Sequence, residues 1–418
     1  MRDNVIAAKT ALRDLFDATP LQRNAHLSAK FDADIYLKRE DLSPVRSYKL
    51  RGAFNFMRKR MGEAGGGASK VFVCASAGNH AQGFAFCCRH FGVEGVVFMP
   101  VTTPQQKIDK TRTFGEGFIR IELVGDIFDV CYSAARKFAA DNDGIMVPPF
   151  DDPDIIEGQA TVASEIEDAW PERDGLPDLI VMPVGGGGLS AGITSYFGDR
   201  LPDEAYLFAE PEGAPSLKRS LADGEIVTLA DVDNFVDGAA VGRIGDANFE
   251  ALKRFSPDQV MAVPENALCV TMTEMLNVEG VVLEPAGALA LTALARLPAD
   301  KVRGRKIVVL VSGGNFDFDR LPDVKERAMR YSGLKKYLVL RLPQRPGALK
   351  DFLALLGPDD DIARFEYLKK SARNFGSILI GIETSRPENF HVLFENFARN
   401  GLKYQDITEN EILANLII

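Results

Sequence analysis

Apolar residues fall along this chain in two recurring patterns. Short continuous runs occur at residues 71–74, 95–99, 119–124, 179–182, 205–209 and 307–311. A strand with one wet face would alternate, so unbroken runs predict strands buried on both faces. Between them lie stretches of helical period. In residues 47–60, Leu50, Ala53, Phe54 and Met57 share one face while Lys and Arg fill much of the other. The alternation predicts an α/β fold with a parallel sheet covered on both sides, its ligands held at the carboxyl ends of the strands. Three runs lead into small polar, glycine-containing loops there: ASAGNHAQG after Cys74, PVGGGGLSAG after Met182 and SGGNFDFD after Val311. The pattern places all three at a single sheet.

The last eighty residues change character. A strand over 337–342 precedes a helix opened by Pro346, with Leu349, Phe352, Leu353 and Leu356 on one face. Strands over 362–368 and 377–383 follow. A second helix from Pro387 carries Phe390, Leu393, Phe394, Phe397 and Ala398, and a last strand spans 402–407. The order β-α-β-β-α-β is the split βαβ, ferredoxin-like unit. The expected domains are 1–320 (two α/β subdomains), a charged linker with one short helix over 321–335, and 336–412.

Composition narrows the function. The 418 residues fit two to three domains. Lys plus Arg number 49 against 59 Asp plus Glu, a net charge of -10, which excludes the basic face of a nucleic-acid or anionic-membrane binder. The five cysteines are odd in number and lack C-x-x-C spacing, so zinc ribbons and a disulfide framework are not expected. No apolar run is long enough for a membrane span. The first helix carries Asp3 and lacks the apolar core of a signal peptide, so a cytoplasmic location is expected.

Four features could carry chemistry. The run Gly185, Gly186, Gly187, Gly188, between a strand and a helix, can close main-chain N–H groups around a phosphate, aided by the helix dipole. Residues 186–191 also satisfy G-x-G-x-x-G/A, with Glu210 about twenty residues on, so a nicotinamide site competes locally; a Walker A site is excluded. Lys49 stands at a helix start, where partial positive charge disfavours its ammonium and promotes the neutral amine of a Schiff-base lysine. Ser76, Ala77, Gly78, Asn79 and His80 form either a helix cap or an anion site. Ser312 with Gly313, Gly314 and Asn315 ends another strand. One lysine, one phosphate cradle and two Ser/Asn loops are what an aldehyde cofactor bearing a phosphate requires.

Together KREDLSPVRSYKLRGA (38–53), SAGNHAQG (76–83), PVGGGGL (183–189), EPAGA (284–288) and SGGN (312–315) resemble the threonine dehydratases, pyridoxal-phosphate enzymes of the tryptophan-synthase-β fold (fold type II). The resemblance spans roughly residues 5–320. The final domain, with RPGAL at 345–349, is similar to their ACT-like regulatory module, here in one copy. It implies that Lys49 bonds pyridoxal 5'-phosphate and takes the substrate α-proton. Asn79 would hold the ring hydroxyl oxygen, with a backbone contact at Gly238. Gly185, Gly186, Gly187, Gly188 and Leu189 would hold the phosphate, and Ser312 the ring nitrogen. Ser76, Ala77, Gly78 and His80 would form the substrate loop. The implied reaction is deamination of L-threonine to 2-oxobutanoate and ammonia, the first committed step of isoleucine biosynthesis. L-Serine is a possible second substrate, isoleucine the expected inhibitor, and a homotetramer the expected assembly. A catabolic serine/threonine dehydratase or a serine racemase is the alternative. Some relatives bind a cation near Glu210 and Ala214, but Ser216 stands where a third ligand would be an acid, and no metal is expected. The chain departs from the usual motifs with GQAT at 158–161 and with Gly314 in place of alanine, the latter expected to be harmless because a small residue is kept.

Overall fold

The computed structural model describes residues 1–63, 70–171, 175–368 and 375–410. Its strands are β1 (Leu21–Arg23), β2 (Asp34–Arg39), β3 (Phe72–Ala75), β4 (Gly95–Met99), β5 (Ile119–Leu123), β6 (Ile145–Met146), β7 (Leu179–Pro183), β8 (Tyr206–Pro211), β9 (Val260–Val263), β10 (Lys306–Val311), β11 (Lys335–Pro343), β12 (Asp361–Leu368), β13 (Phe375–Glu383) and β14 (Tyr404–Asp406). The chain divides into two units, Met1–Asp317 and Phe318–Ile418.

In the first unit the apolar runs become strands, but they pair into two sheets rather than one. The larger has the order β1-β2-β10-β7-β8-β9 and the smaller β5-β4-β3-β6. Every pairing is parallel except β1 with β2. The single sheet expected from the runs is therefore corrected. A strand buried on both faces reads the same whichever neighbour it takes, so pairing is decided by the crossover helices. The glycine run and Ser312 end strands of the larger sheet, whereas Ser76 ends β3 of the smaller.

The Lys49–Glu63 helix buries Leu50, Ala53, Phe54 and Met57 against Phe84, Cys88 and Ile155. It crosses the Pro153–Ala169 helix at glycine. A Cβ on Gly158 would lie 2.6 Å from the Arg51 carbonyl and 2.7 Å from the Gly52 Cα. On the other side of that helix, Gly192 lies so near Ala160 that its own Cβ would stand 2.8 Å from the Ala160 nitrogen. The alanine of GQAT thus faces a glycine that makes room for it. All five cysteines are free and buried. Among the described residues no helix is long and apolar enough to cross a membrane.

Arg51 lies two residues past Lys49, about 200° round the helix, and turns into the core instead. It is fully buried, with paired hydrogen bonds to Glu40 (2.8 and 2.9 Å) and to Glu165 (2.9 and 2.7 Å). Lys38 donates to Glu165 and to the Thr19 carbonyl, both at 2.6 Å. Burial alone would strip the charge from Arg51, but Glu40 and Glu165 outweigh it and hold the guanidinium firmly protonated. The same contacts hold the Glu165 carboxyl well below the usual carboxylate range.

In the second unit the order β12-β13-β11-β14, antiparallel throughout, is that of the ferredoxin-like fold. Leu338, Leu340, Ile378 and Ile380 pack beneath Phe352, Phe390 and Phe397. The stripe expected after Pro346 is corrected. The helix is only Ala348–Leu353, and it covers the sheet with Ala348 and Phe352 at i and i+4. That choice turns Leu349 and Leu353 outward, 42% and 43% exposed. An eleven-residue helix, Leu321–Tyr331, lies in the charged stretch 321–335 and falls within the second unit. Residue 412, the expected end of the last domain, lies outside the described residues.

Replacing Glu165 by alanine leaves Lys38 and Arg51 without their shared partner, and should cost about 3–5 kcal/mol of stability. A urea-unfolding midpoint measures it. Because the Glu165 carboxyl is held low, this contribution is present at neutral pH and fades as pH falls below ordinary carboxylate values. The gap between wild type and variant should narrow accordingly.

Candidate active site

Lys49 opens its helix and is only partly reachable by solvent. Its Nζ donates to the Pro149 carbonyl at 2.9 Å and lies over the rings of Tyr48 (5.4 Å) and Phe150 (5.7 Å). Burial pushes its pKa down to about 8, against the pull of the Glu284 charge. A useful fraction of neutral amine therefore exists near physiological pH.

Phe150 joins this lysine to the glycine run. A Cβ on Gly186 would run into the Phe150 ring, and one on Gly188 would stand 3.0 Å from the Phe150 carbonyl. Gly185 faces the Ala239 Cα at 2.9 Å in the same sense. Gly187 has φ +91°, the left-handed region, and its Cβ would meet Ile244 at 2.5 Å. Asn248 clamps the turn by donating to the Gly186 carbonyl at 2.6 Å. The N–H groups of Gly185, Gly186 and Gly187 make no hydrogen bond to an acceptor among the described residues. Those of Gly188 and Leu189 are in the first turn of the Gly188–Phe197 helix, which leaves them without helical partners. The turn is thus a cup of unpaired donors at a helix N-terminus, suited to a phosphate.

Ser76, Ala77, Gly78 and Asn79 are half-buried, and the Ser76 hydroxyl accepts from the Gly78 N–H at 3.2 Å. Asn79 begins the next helix and donates from Nδ2 to Glu284 at 2.6 Å. His80 is buried and its Nε2 hydrogen-bonds the Val147 carbonyl at 2.9 Å. Burial, then the Lys49 charge, pushes its pKa down to about 4, so it is neutral at physiological pH. Ser312 is buried; its hydroxyl donates to the Ala286 carbonyl at 3.2 Å and its carbonyl accepts from the Tyr48 N–H at 3.2 Å. A bridge between Ser47 and Gly313 completes that link. Lys49, the glycine run, the Asn79 loop and Ser312 therefore belong to one connected site spanning the ends of both sheets.

Sequence reasoning left out several residues the geometry brings in. Pro149 and Phe150 join the lysine to the glycine turn, and only the apolar step before Asp151 hinted at them. Asn248 carried no local signal, and Glu284 was seen only as the first residue of the EPAGA motif, with no role attached to it. Gly238 sits beside them, where a Cβ would lie 3.8 Å from the Glu284 Oε1 and 4.0 Å from the Asn79 Nδ2. Glu210, the acid a ribose site needs, is fully buried and accepts from the N–H groups of Leu217 (2.7 Å) and Lys218 (2.9 Å). It caps a helix, which removes the main support for a nicotinamide site. At Gly314 a Cβ would stand 2.8 Å from the Val282 carbonyl, a space that glycine fits.

In the second unit, Leu342, Arg345, Ala348, Leu349, Leu353 and Tyr367 help line a cavity of about 440 Å³. Its walls are mostly apolar, with Arg345 as a cationic group at the RPGAL turn.

The pyridoxal-phosphate dependent enzyme family matches residues 12–313, and the C-terminal regulatory domain of threonine dehydratase matches residues 326–417. The biosynthetic L-threonine dehydratase IlvA of Bacillus subtilis is 43% identical over 416 residues, covering 99% of this chain and 97% of that protein. Threonine deaminase isoform 2 of Solanum lycopersicum, in its processed form, superposes with a TM-score of 0.70 at 33% identity, over 78% of this chain and 93% of the other. Maize serine racemase gives a TM-score of 0.69 at 25% identity, over 79% and 98%.

Only the neutral amine of Lys49 can condense with an aldehyde. The rate of pyridoxal-phosphate loading onto cofactor-free protein, followed at the imine absorption band, should rise with pH and level off above about 8. A Gly187→Ala substitution forces a side chain into a left-handed turn against Ile244. It should weaken cofactor retention by about tenfold or more, measured by equilibrium dialysis, as expected for about 1–3 kcal/mol of backbone strain.

Proposed function

The chain belongs to the threonine dehydratases, a family of pyridoxal-phosphate-dependent enzymes, and from that premise we propose that it deaminates L-threonine to 2-oxobutanoate and ammonia. The observation that carries this reading is the link from Lys49 through Pro149 and Phe150 to a cup of unpaired N–H donors. A lysine amine beside a phosphate cradle fits an aldehyde cofactor bearing a phosphate, and the crowding at each glycine shows that a side chain would spoil the cradle.

When bound, pyridoxal phosphate withdraws electrons from the substrate amine and so acidifies the α-proton. The protein does the rest by position. The N–H groups of Gly185, Gly186, Gly187, Gly188 and Leu189 hold the phosphate, Asn79 the ring hydroxyl oxygen and Ser312 the ring nitrogen. In the loop of Ser76, Ala77 and Gly78, the Ser76 hydroxyl and the Ala77 main-chain N–H face the substrate carboxylate at the head of the next helix, while the Ser76 and Gly78 N–H groups hold the loop itself. His80 steadies that loop through the Val147 carbonyl. Lys49, its pKa lowered by burial, takes the α-proton onto Nζ. Its Pro149 hydrogen bond helps to aim that nitrogen.

Feedback acts through the second unit. Isoleucine fits the chemistry of the cavity, with apolar walls for its side chain and, for its carboxylate, Lys350 and the guanidinium of Arg345, which also pairs with Asp351 at 2.6 Å. A coupling of about 1–3 kcal/mol between the two sites would change substrate affinity 5- to 150-fold. L-Serine is a second substrate in this reading. A cytoplasmic setting, in keeping with a biosynthetic relative, and a homotetrameric assembly complete the proposal. The regulatory-domain match favours the biosynthetic enzyme over a serine racemase of similar catalytic fold.

The deciding assay follows keto-acid formation from L-threonine with pyridoxal phosphate, with and without isoleucine. Turnover suppressed by isoleucine is expected, and absence of turnover in cofactor-loaded protein would overturn the proposal. Lys49→Ala should lower turnover by about 10²–10⁴-fold, the span for a lost general base, or more where covalent attachment is also lost. Leu349→Asp puts a carboxylate in the cavity wall, at a helix start that tolerates one. It should raise the isoleucine concentration for half-inhibition by about tenfold and leave uninhibited turnover as it was.

A further inference from the structure

The Asn79 amide is held at both ends. Its Oδ1 accepts from the Asn315 Nδ2 at 2.7 Å, and its Nδ2 donates to the Glu284 Oε1 at 2.6 Å. Asn315 also donates to the Val45 carbonyl at 2.7 Å, which identifies the atom facing Asn79 as its amino nitrogen. The two bonds leave one rotamer and one flip state for Asn79. An amide nitrogen carries two hydrogens. Glu284 takes one, and the other has no acceptor among the described residues.

Glu284 is an expensive way to hold an amide if packing were the only need. It is buried, at 6% exposure, and has no ion-pair partner among the described residues. Its neighbourhood carries Lys49 from the first helix of the site, Lys107 and Lys110 from the Gln105–Gly115 helix, and Asp237 beside Gly238. Lys107 is itself paired with Asp237. Burial, with the Asp237 charge, pushes the Glu284 carboxyl up to about 7. What the carboxylate has instead of a counter-ion is the Asn79 side-chain N–H, donated at 2.6 Å. A carboxylate accepts more strongly than the amide oxygen of glutamine, whose amino group would meet Asn79 donor against donor in one of its two flip states, and aspartate would be one methylene short. The surroundings are shaped for the acid as well: a Cβ on Gly313 would run into the Glu284 carboxylate, and one on Gly287 into the Gly313 carbonyl.

We propose that Glu284, together with Asn315, is a positioning residue for the cofactor ring that acts through Asn79, orienting the amide so that its remaining N–H is available to the ring hydroxyl oxygen. The inference rests on the cofactor reading of Asn79 given above. Neither Glu284 nor Asn315 needs to touch the cofactor. Their effect passes through one side chain, and that makes it separable from general destabilisation by a double-mutant cycle.

The cycle uses the full chain with pyridoxal phosphate, comparing wild type, Glu284→Gln, Asn79→Ala and the double variant. The readouts are the cofactor dissociation constant and the absorption maximum of the bound cofactor, with thermal unfolding of each cofactor-free protein alongside. Each single variant should lose about tenfold in cofactor affinity, the scale of one well-placed hydrogen bond, and shift the absorption maximum. The double variant should match Asn79→Ala rather than lose about a hundredfold. Additive losses, or a Glu284→Gln protein with wild-type affinity and absorption, would overturn the proposal while leaving the proposed function intact. Wild-type protein that binds no pyridoxal phosphate would instead overturn the proposed function, and this inference with it. Should Glu284→Gln fail to fold, Asn315→Ala taken through the same cycle reads the coupling from the other end of the amide, with the same two outcomes.

Discussion

The buried ion cluster around Arg51 is the constraint on which the site depends. Two acids, Glu40 and Glu165, grip one guanidinium with paired hydrogen bonds, and Lys38 shares Glu165. These residues come from β2, the turn after it, the start of the Lys49 helix and the Pro153–Ala169 helix. Charges so deeply buried tolerate little displacement, since each lost partner leaves another charge stranded. The start of the helix is thereby fastened to the larger sheet from below. Lys49, two residues earlier, faces the other way with its backbone already fixed. The close crossing at Gly52 and Gly158 adds a steric stop to the electrostatic one.

The glycine turn proposed to cradle a phosphate follows a different logic, in which what is missing matters more than what is present. At Gly185, Gly186, Gly187 and Gly188 a side chain would strike Ala239, Phe150 or Ile244, so the turn can be this tight only without side chains. Tightness leaves successive N–H groups unpaired and converging. Phe150 serves both halves of the site, as a wall for the turn and as a neighbour of Lys49. In the proposed reading, the phosphate and aldehyde ends of the cofactor are thus referred to the same short segment.

The second unit solves its own packing problem in a way that leaves a cavity wall free. Its sheet is covered by Phe352, Phe390 and Phe397, which is enough to close the core. The short helix after Pro346 can then turn Leu349 and Leu353 outward into the wall of a cavity. An amphipathic stripe long enough to bury all four apolar positions would have left no such wall.

How much was legible depended on whether the signal was local. The strand runs, the glycine turn, Lys49 at a helix start and the βαββαβ order were all readable, because periodicity, absence of side chains and helix-end electrostatics are short-range properties. Motif spacing carried the family. The partition into two sheets was not readable, since strands buried on both faces carry no mark of their neighbour. The roles of Pro149, Phe150, Asn248 and Glu284 were hidden for a related reason: each acts on a residue roughly 36 to 205 positions away. How closely the Val282 carbonyl approaches Gly314 was equally out of reach of the sequence. Chemistry-bearing groups were therefore determined by the sequence alone. Which of them meet, which way Asn79 is turned and how far burial shifts Lys49 were decided only by tertiary structure, because desolvation and hydrogen-bond partnership depend on what surrounds a group and not on what precedes it in the chain.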